Sequence, residues 1–169
     1  MKKYFLSLTV LMFFASTSIQ AESNRAKIIF KGELKYNPCV VTTETVTVDF
    51  GTLTNSDFDS SGYTAWEMFN LKLDQCPAGL KSVSAKFTGT PSKDKPLFGY
   101  ENAGTAKNIS IQLANQGSEF GLGNGQFSTL DIKNGKADAA LMARIKQETN
   151  KLFTAGSIDG VVQVEFTYQ

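Results

Sequence analysis

The sequence has 169 residues, of which 41% are hydrophobic and 20% charged, with a formal net charge of +1, two cysteines and no histidine. This length corresponds to one domain, and a charge near zero is not that of a nucleic-acid-binding surface. From the charge we expect no nucleic-acid partner. The lack of histidine excludes Ser-His-Asp and Cys-His catalytic sites and the commonest zinc ligand, so we expect no cofactor and no enzyme of those types.

The first 21 residues have the composition of a secretory signal peptide. A basic start (MKK) precedes an apolar run (YFLSLTVLMFFAS) and a stretch of small residues that ends at Ala21, which is the order typical of a cleaved export signal. The apolar run is shorter than the roughly 20 residues of a membrane-spanning helix. We therefore predict cleavage after Ala21, a mature chain of residues 22–169 and no membrane span after cleavage.

The segment AKIIFKGEL, residues 26–34, alternates like a β-strand. One face carries four apolar side chains and one glycine, and the glycine lowers strand stability by roughly 0.5–1 kcal/mol relative to alanine. A bulge or bend is one reason for a glycine at this place. The residues of this face are Ala26, Ile28, Phe30, Gly32 and Leu34.

The two cysteines, Cys39 and Cys76, indicate a disulfide. An exported chain with an even number of cysteines usually pairs them, and this bridge would close a loop of about 38 residues, which contributes roughly 4 kcal/mol in the chain-entropy model. The alternative is a pair of free thiols.

Short runs of period-2 alternation follow along the chain, separated by stretches rich in Gly, Pro, Asn, Asp and Ser, and each run predicts a strand. The segment ADAALMARIKQ, residues 137–147, contains good helix formers, but its apolar residues share one parity, so we predict a strand there too. These features favour an all-β sandwich. The runs are TVTVDF (45–50), FNLKLDQC (69–76), SVSAKF (82–87), ISIQL (109–113), ADAALMARIKQ (137–147) and GVVQVEFTY (160–168).

Four local patterns are weak candidates for binding sites. DFDSSG from Asp57 begins like a calcium loop, but Met68 stands where the closing glutamate is required. GLGNG at 121–125 lacks the strand-to-helix context of a phosphate loop. The glycosylation pattern NIS at 108–110 falls inside a predicted strand. Trp66 could stack on a sugar, but its large apolar neighbours favour a place in the core or an interface.

Taken together, the signal segment, the alternating strand with Gly32 seven residues before Cys39, the second cysteine after a β-run, and the motifs ISIQL, MARI and TYQ resemble the pilin subunits of chaperone-usher fimbriae of the type 1 and P pilus class. This resemblance implies an incomplete immunoglobulin-like sandwich that lacks its seventh strand. A donor strand supplied in trans completes it, first from a periplasmic pilus chaperone and then from the N-terminal extension of the next subunit.

The resemblance also assigns parts of the chain. Residues 1–21 would be the signal peptide, 22–34 the donor-strand extension and 35–169 the pilin body, with Gly32 filling a shallow pocket of the neighbouring subunit. A C-terminal alternating strand, a penultimate tyrosine and a glycine fourteen residues from the end would form the chaperone-binding groove. The groove residues are then Gly156, Val162, Val164, Phe166 and Tyr168.

From this resemblance we expect a structural subunit, not an enzyme. Its place in the fibre would be rod, adaptor or minor, because the chain is too short for a two-domain tip adhesin. The expected partners are the periplasmic chaperone, an outer-membrane usher and neighbouring pilins, and the expected destination is the cell-surface fimbrium. The alternative is a self-contained secreted β-sandwich that binds a ligand, with a carbohydrate at Trp66 as the candidate.

Overall fold

A computed structural model describes residues 26–35, 37–118 and 120–168, and the predicted signal segment lies outside them. The chain divides into two units, Met1–Leu34 and Lys35–Gln169. The elements of the second unit are β1 (Val40–Val41), a 3-10 helix (Asn55–Asp57), β2 (Glu67–Asp74), β3 (Ser82–Thr88), β4 (Gly99–Glu101), β5 (Ile109–Asn115), β6 (Phe127–Asp131), β7 (Ala137–Gln147) and β8 (Gln163–Tyr168).

The strands form two antiparallel sheets. The larger sheet has the order β1-β2-β7-β5-β4, and the smaller has the order β6-β3-β8. The predicted all-β fold class is confirmed.

The core lies between the two sheets because alternate residues of each strand point inward. Val83, Ala85 and Phe87 of β3 are fully buried and share a cluster with Leu141 and other residues of β7. In β3 the intervening residues are only half-buried, which is the period-2 pattern of a strand with one face on a core.

The ambiguous segment 137–147 is a strand along its whole length. It pairs with β2 on one side and β5 on the other, so it lies in the middle of its sheet. Ala139, Leu141 and Ala143 share one parity and are all buried, so period-2 alternation predicts the strand better than helix propensity does. Packing between two neighbouring strands outweighs the small intrinsic preference of alanine and leucine for helix.

One predicted strand, residues 45–50, is wrong as a hydrogen-bonded strand, and residues 26–34, which the resemblance assigns as a strand for another chain, are unpaired as well. Residues 26–34 and 45–50 carry no strand, although Val46, Val48 and Phe50 alternate as half-buried residues with exposed neighbours. A strand exists only when its backbone pairs with another strand, and these two segments have no such partner among the described residues. These segments therefore have the sequence pattern of a strand without the backbone hydrogen bonds of one.

Three strands, β1, β4 and β6, are not predicted by the sequence. β4 and β6 are short, and β6 (FSTLD) has only one buried apolar residue, Leu130. In β4, Tyr100 is 1% exposed and its hydroxyl donates a hydrogen bond to the carbonyl oxygen of Leu122 at 2.8 Å. Burial raises the pKa of this phenol. A buried tyrosine needs such a partner, and the partner comes from a loop that sequence periodicity does not locate.

Helices that could cross a membrane, both long and apolar, are not found in the part of the chain that the structure describes.

Candidate strand-binding site

β8 lies at the edge of the smaller sheet, and only one of its sides is paired. It runs antiparallel to β3, with Phe166 opposite Ala85 and Tyr168 opposite Val83. No described strand pairs with its other side. The backbone N–H and C=O groups on that side are available to another strand.

The core is incompletely covered, and β8 carries part of its uncovered surface. Several large apolar side chains pack against the buried cluster but remain partly exposed, while Val83, Ala85 and Phe87 of β3 are fully buried. They come from β8 and the residue before it, from β2 and from the segment before the 3-10 helix, and we call them the open core surface. Its members are Val48, Phe50, Phe69, Leu71, Val162, Val164, Phe166 and Tyr168.

An open sheet edge beside an exposed part of the core can bind an additional strand. An added strand could continue the ladder of β8 and place alternate side chains on the open core surface, so that hydrogen bonds and apolar burial are gained together. Left uncovered, the same surface favours aggregation.

The end of β8 meets the disulfide. Cys39 and Cys76 are bonded as predicted, and both are buried. The Tyr168 hydroxyl donates a long hydrogen bond of 3.5 Å to the backbone carbonyl oxygen of Cys39. Burial of the ring raises the pKa of Tyr168. Since Cys39 directly precedes β1, this contact links the edge strands of the two sheets.

Of the five residues predicted to form the groove, four lie on the open core surface. Val162, Val164, Phe166 and Tyr168 share it. Gly156 lies outside β8, where a side chain would clash with the backbone nitrogen of Ala106. Close backbone packing is thus a sufficient reason for a glycine there.

The predicted donor residues lie in the other unit of the chain. Ile28, Phe30 and Leu34 are 76%, 89% and 101% exposed, and Ala26 is also exposed. At Gly32, a Cβ atom would meet no heavy atom within 4 Å. Among the residues that the structure describes, none therefore requires a glycine at position 32.

The preferred interpretation of Trp66 as a core residue is wrong. Trp66 is half-buried and belongs to neither apolar cluster of the described residues. The guanidinium of Arg144 lies 4.1 Å from the centre of its ring and 3.8 Å from that of Tyr63, and Nε of Arg144 donates to Gln112 at 2.7 Å. These side chains form a cation–π stack on the outer face of the larger sheet.

The calcium-like pattern has a local structural reason. Oδ2 of Asp57 accepts hydrogen bonds from the backbone N–H of Thr54 at 2.6 Å and from its hydroxyl at 2.8 Å, and these bonds lower the pKa of Asp57. Oδ1 of Asp59 accepts from the backbone N–H groups of Ser61 and Tyr63. Both carboxylates cap turns, and the described residues contain no group suited to hold a metal ion.

Asn108 of the glycosylation pattern is also engaged within the fold. Its side-chain nitrogen donates to the carbonyl oxygen of Leu152 at 2.7 Å, and its φ is +61°. Ser110, which completes the pattern, is buried.

The sequence does not assign four members of the open core surface to the site: Val48, Phe50, Phe69 and Leu71. All four have the apolar parity of predicted strands, as core residues do. They differ from Leu73, which is 1% exposed, only in that their side chains are incompletely covered in the structure.

Comparisons with known proteins agree on one family. The family model described as "Fimbrial protein" matches residues 28–169. Protein FimG of Escherichia coli strain K12 is 31% identical over 163 residues, covering 95% of this chain and 94% of FimG. The S-fimbrial adhesin protein SfaS of Escherichia coli O6:K15:H31 is 35% identical over 125 residues, covering 73% of each chain.

Among solved structures, the P pilus rod subunit PapA superposes with a TM-score of 0.65 at 21% identity, covering 79% of this chain and 100% of PapA. A chain from the structure of a chaperone-usher pilus superposes with a TM-score of 0.66 at 20% identity, covering 92% of this chain and 100% of that one. These two likenesses concern the fold.

Proposed function

This chain belongs to the fimbrial protein family, and on that premise we propose that it is a structural subunit of a chaperone-usher pilus that polymerises by donor-strand exchange. The observation that carries the proposal is the open core surface beside the unpaired edge of β8. A strand from another chain would cover both the apolar side chains and the free backbone groups, as in other complexes formed by strand addition.

In this proposal the extension, residues 22–34, is the strand that the chain gives to a neighbour. Thirteen residues at about 3.4 Å each extend over roughly 44 Å, which is enough to span a sandwich. Ala26, Ile28, Phe30 and Leu34 would fill successive positions on the neighbour's open core surface, with Gly32 at a shallow one. Residues 35–169 form the body that receives a strand.

The remaining steps are also part of the proposal. A periplasmic pilus chaperone would cover the open core surface after export, an outer-membrane usher would direct the exchange, and the product would be a fimbrium at the cell surface that supports adhesion. We assign no catalytic activity and no cofactor to the chain. The alternative of a self-contained binding module is not favoured, because relatives that match nearly the whole chain are fimbrial proteins.

Two neighbouring isoleucines allow a sharp test. The mature chain is co-produced with a periplasmic pilus chaperone, and the complex is incubated with a peptide of residues 22–36. Released chaperone is measured by size-exclusion chromatography. Since Ile28 would face the open core surface and Ile29 would face away from it, the Ile28→Asp peptide should release little chaperone and the Ile29→Asp peptide should act nearly like wild type.

Two outcomes would overturn the proposal. One is a mature chain that is a stable, soluble monomer without chaperone and does not bind the peptide. The other is an equal effect of the two aspartate substitutions, because binding would then not depend on which face of the strand is apolar.

A further inference from the structure

The segment that leads into β8, residues 154–160, is fixed by contacts with the loop after β4. This inference rests on the proposed function. We propose that Asn102 is a positioning residue for donor-strand binding: it holds this segment, and through it the start of β8, in the place where an incoming strand can pair.

The Asn102 side chain makes four hydrogen bonds and joins two parts of the chain. Its Nδ2 donates to the carbonyl oxygens of Ala106 at 2.9 Å and Ser157 at 3.2 Å. Its Oδ1 accepts from the backbone N–H groups of Gly104 at 3.2 Å and Asp159 at 2.8 Å. Two bonds thus order the loop of Asn102 itself, and two hold the segment before β8.

Other bonds support the same junction. The backbone N–H of Ala103 donates to the carbonyl oxygen of Asp159 at 2.8 Å, and that of Ala106 donates to the carbonyl oxygen of Ser157 at 3.1 Å. Thr105 and Ser157 also exchange bonds, each backbone N–H donating to the other residue's hydroxyl oxygen. The close contact between Gly156 and Ala106 belongs to this junction as well.

The junction connects the two sheets. Asn102 directly follows β4, an edge strand of the larger sheet, whereas β8 is an edge strand of the smaller sheet. Ile158 adds apolar packing, since it lies against the cluster of Ala106, Ile109 and Ile145. The start of β8 is therefore held by contacts with the larger sheet, and its end by the hydrogen bond from Tyr168 to Cys39.

Fixing the segment in advance affects binding. A strand that pairs with β8 needs it in one register and at one distance from the larger sheet. If the preceding segment were mobile, ordering it would cost conformational entropy at the moment of binding. Asn102 does not lie on the open core surface, so its effect on binding would act through the position of β8.

The test uses the complex of the full mature chain with its chaperone, as wild type and as Asn102→Ala. We expect the β8 amides to exchange hydrogen for deuterium at least tenfold faster in the variant, while β7 keeps its wild-type rates. Under challenge with the peptide of residues 22–36, the variant complex should lose its chaperone at least tenfold faster. A merely structural role would raise exchange in all strands together.

Asn115→Ala is the matched control. It removes a hydrogen bond that the hydroxyl of Ser128 donates to the Asn115 side chain at 2.8 Å, and the two residues lie outside the junction, so β8 exchange and chaperone release should stay as in wild type. If Asn102→Ala does not yield a folded complex, Ser157→Ala replaces it. That change removes the oxygen that accepts from Thr105 and should act in the same direction by about threefold.

The inference is overturned if neither variant changes β8 exchange, or if β7 and β8 accelerate equally. Failure of the proposed function gives a different result, because the wild-type complex would then release no chaperone to the peptide, whatever stands at position 102.

Discussion

Replacing Phe166 by alanine should weaken the binding of a donor strand by about tenfold. Truncating a fully buried phenylalanine costs about 3–5 kcal/mol. Most of the surface of Phe166 is already buried in the subunit, where it lies opposite the fully buried Ala85, so about two thirds of this cost falls on the subunit itself. The remaining share, about 1.4 kcal/mol, is lost only when a donor strand covers the ring, which raises Kd about tenfold.

In the assay, the body, residues 35–169, is refolded in the presence of increasing concentrations of a labelled peptide of residues 22–36, and the bound peptide is measured by fluorescence anisotropy. Phe127→Ala is the matched control, because Phe127 is 60% exposed and lies on β6, the other edge strand of the same sheet. That variant should bind within about twofold of wild type. Equal losses in the two variants, or no loss in Phe166→Ala, would refute the reasoning.

The other predictions concern the disulfide, the donor glycine and the ion pair of a buried lysine. Exchanging Cys39 and Cys76 for serine removes a staple of roughly 4 kcal/mol and should sharply lower the periplasmic yield on immunoblots; an unchanged yield would contradict it. Gly32→Val should slow chaperone release by the peptide, although valine is the better strand former, and an equal or faster rate would remove the shallow pocket from the proposal. Lys146 is 5% exposed and pairs with Asp94, so Asp94→Asn should cost up to about 3 kcal/mol at pH 7 in urea unfolding.

The effect of Asp94 depends on pH in a defined direction. The hydrogen bond from Lys146 holds the pKa of Asp94 below its ordinary value of 3.8, with a further contribution from Thr149. A lowered pKa in the folded state adds stability that is present above pH 4 and is lost as the pH falls through the folded-state pKa. The difference between wild type and Asp94→Asn should therefore shrink below about pH 4, and a difference that stays constant down to pH 2 would contradict the assignment.

Period-2 alternation of apolar residues predicts a strand well where the chain itself supplies both neighbouring strands. β7 is the clearest case, because its alternating alanine, leucine and isoleucine residues face a core that the chain supplies. Residues 45–50 carry the same signal but no ladder. Period-2 alternation reports which side chains seek a core, and it does not report whether a partner strand for the backbone is present.

The candidate site shows the same limit. The alternation of Val162, Val164 and Phe166 is that of any strand with one buried face, and only the unpaired side of β8 and the partial exposure of its side chains distinguish it from β3. Trp66 was misassigned because the sequence does not show that Arg144, on a different strand, places its guanidinium against the indole ring.

The stack of Tyr63, Arg144 and Trp66 makes the chain a selective optical reporter. Trp66 is its one tryptophan, and its ring lies against a fixed positive charge on the outer face of the larger sheet, whereas the open core surface belongs to the inner faces. Its emission should change when the sandwich unfolds and the indole ring leaves the guanidinium. It should stay nearly constant while one strand replaces another at β8, so the two processes can be followed separately in one sample.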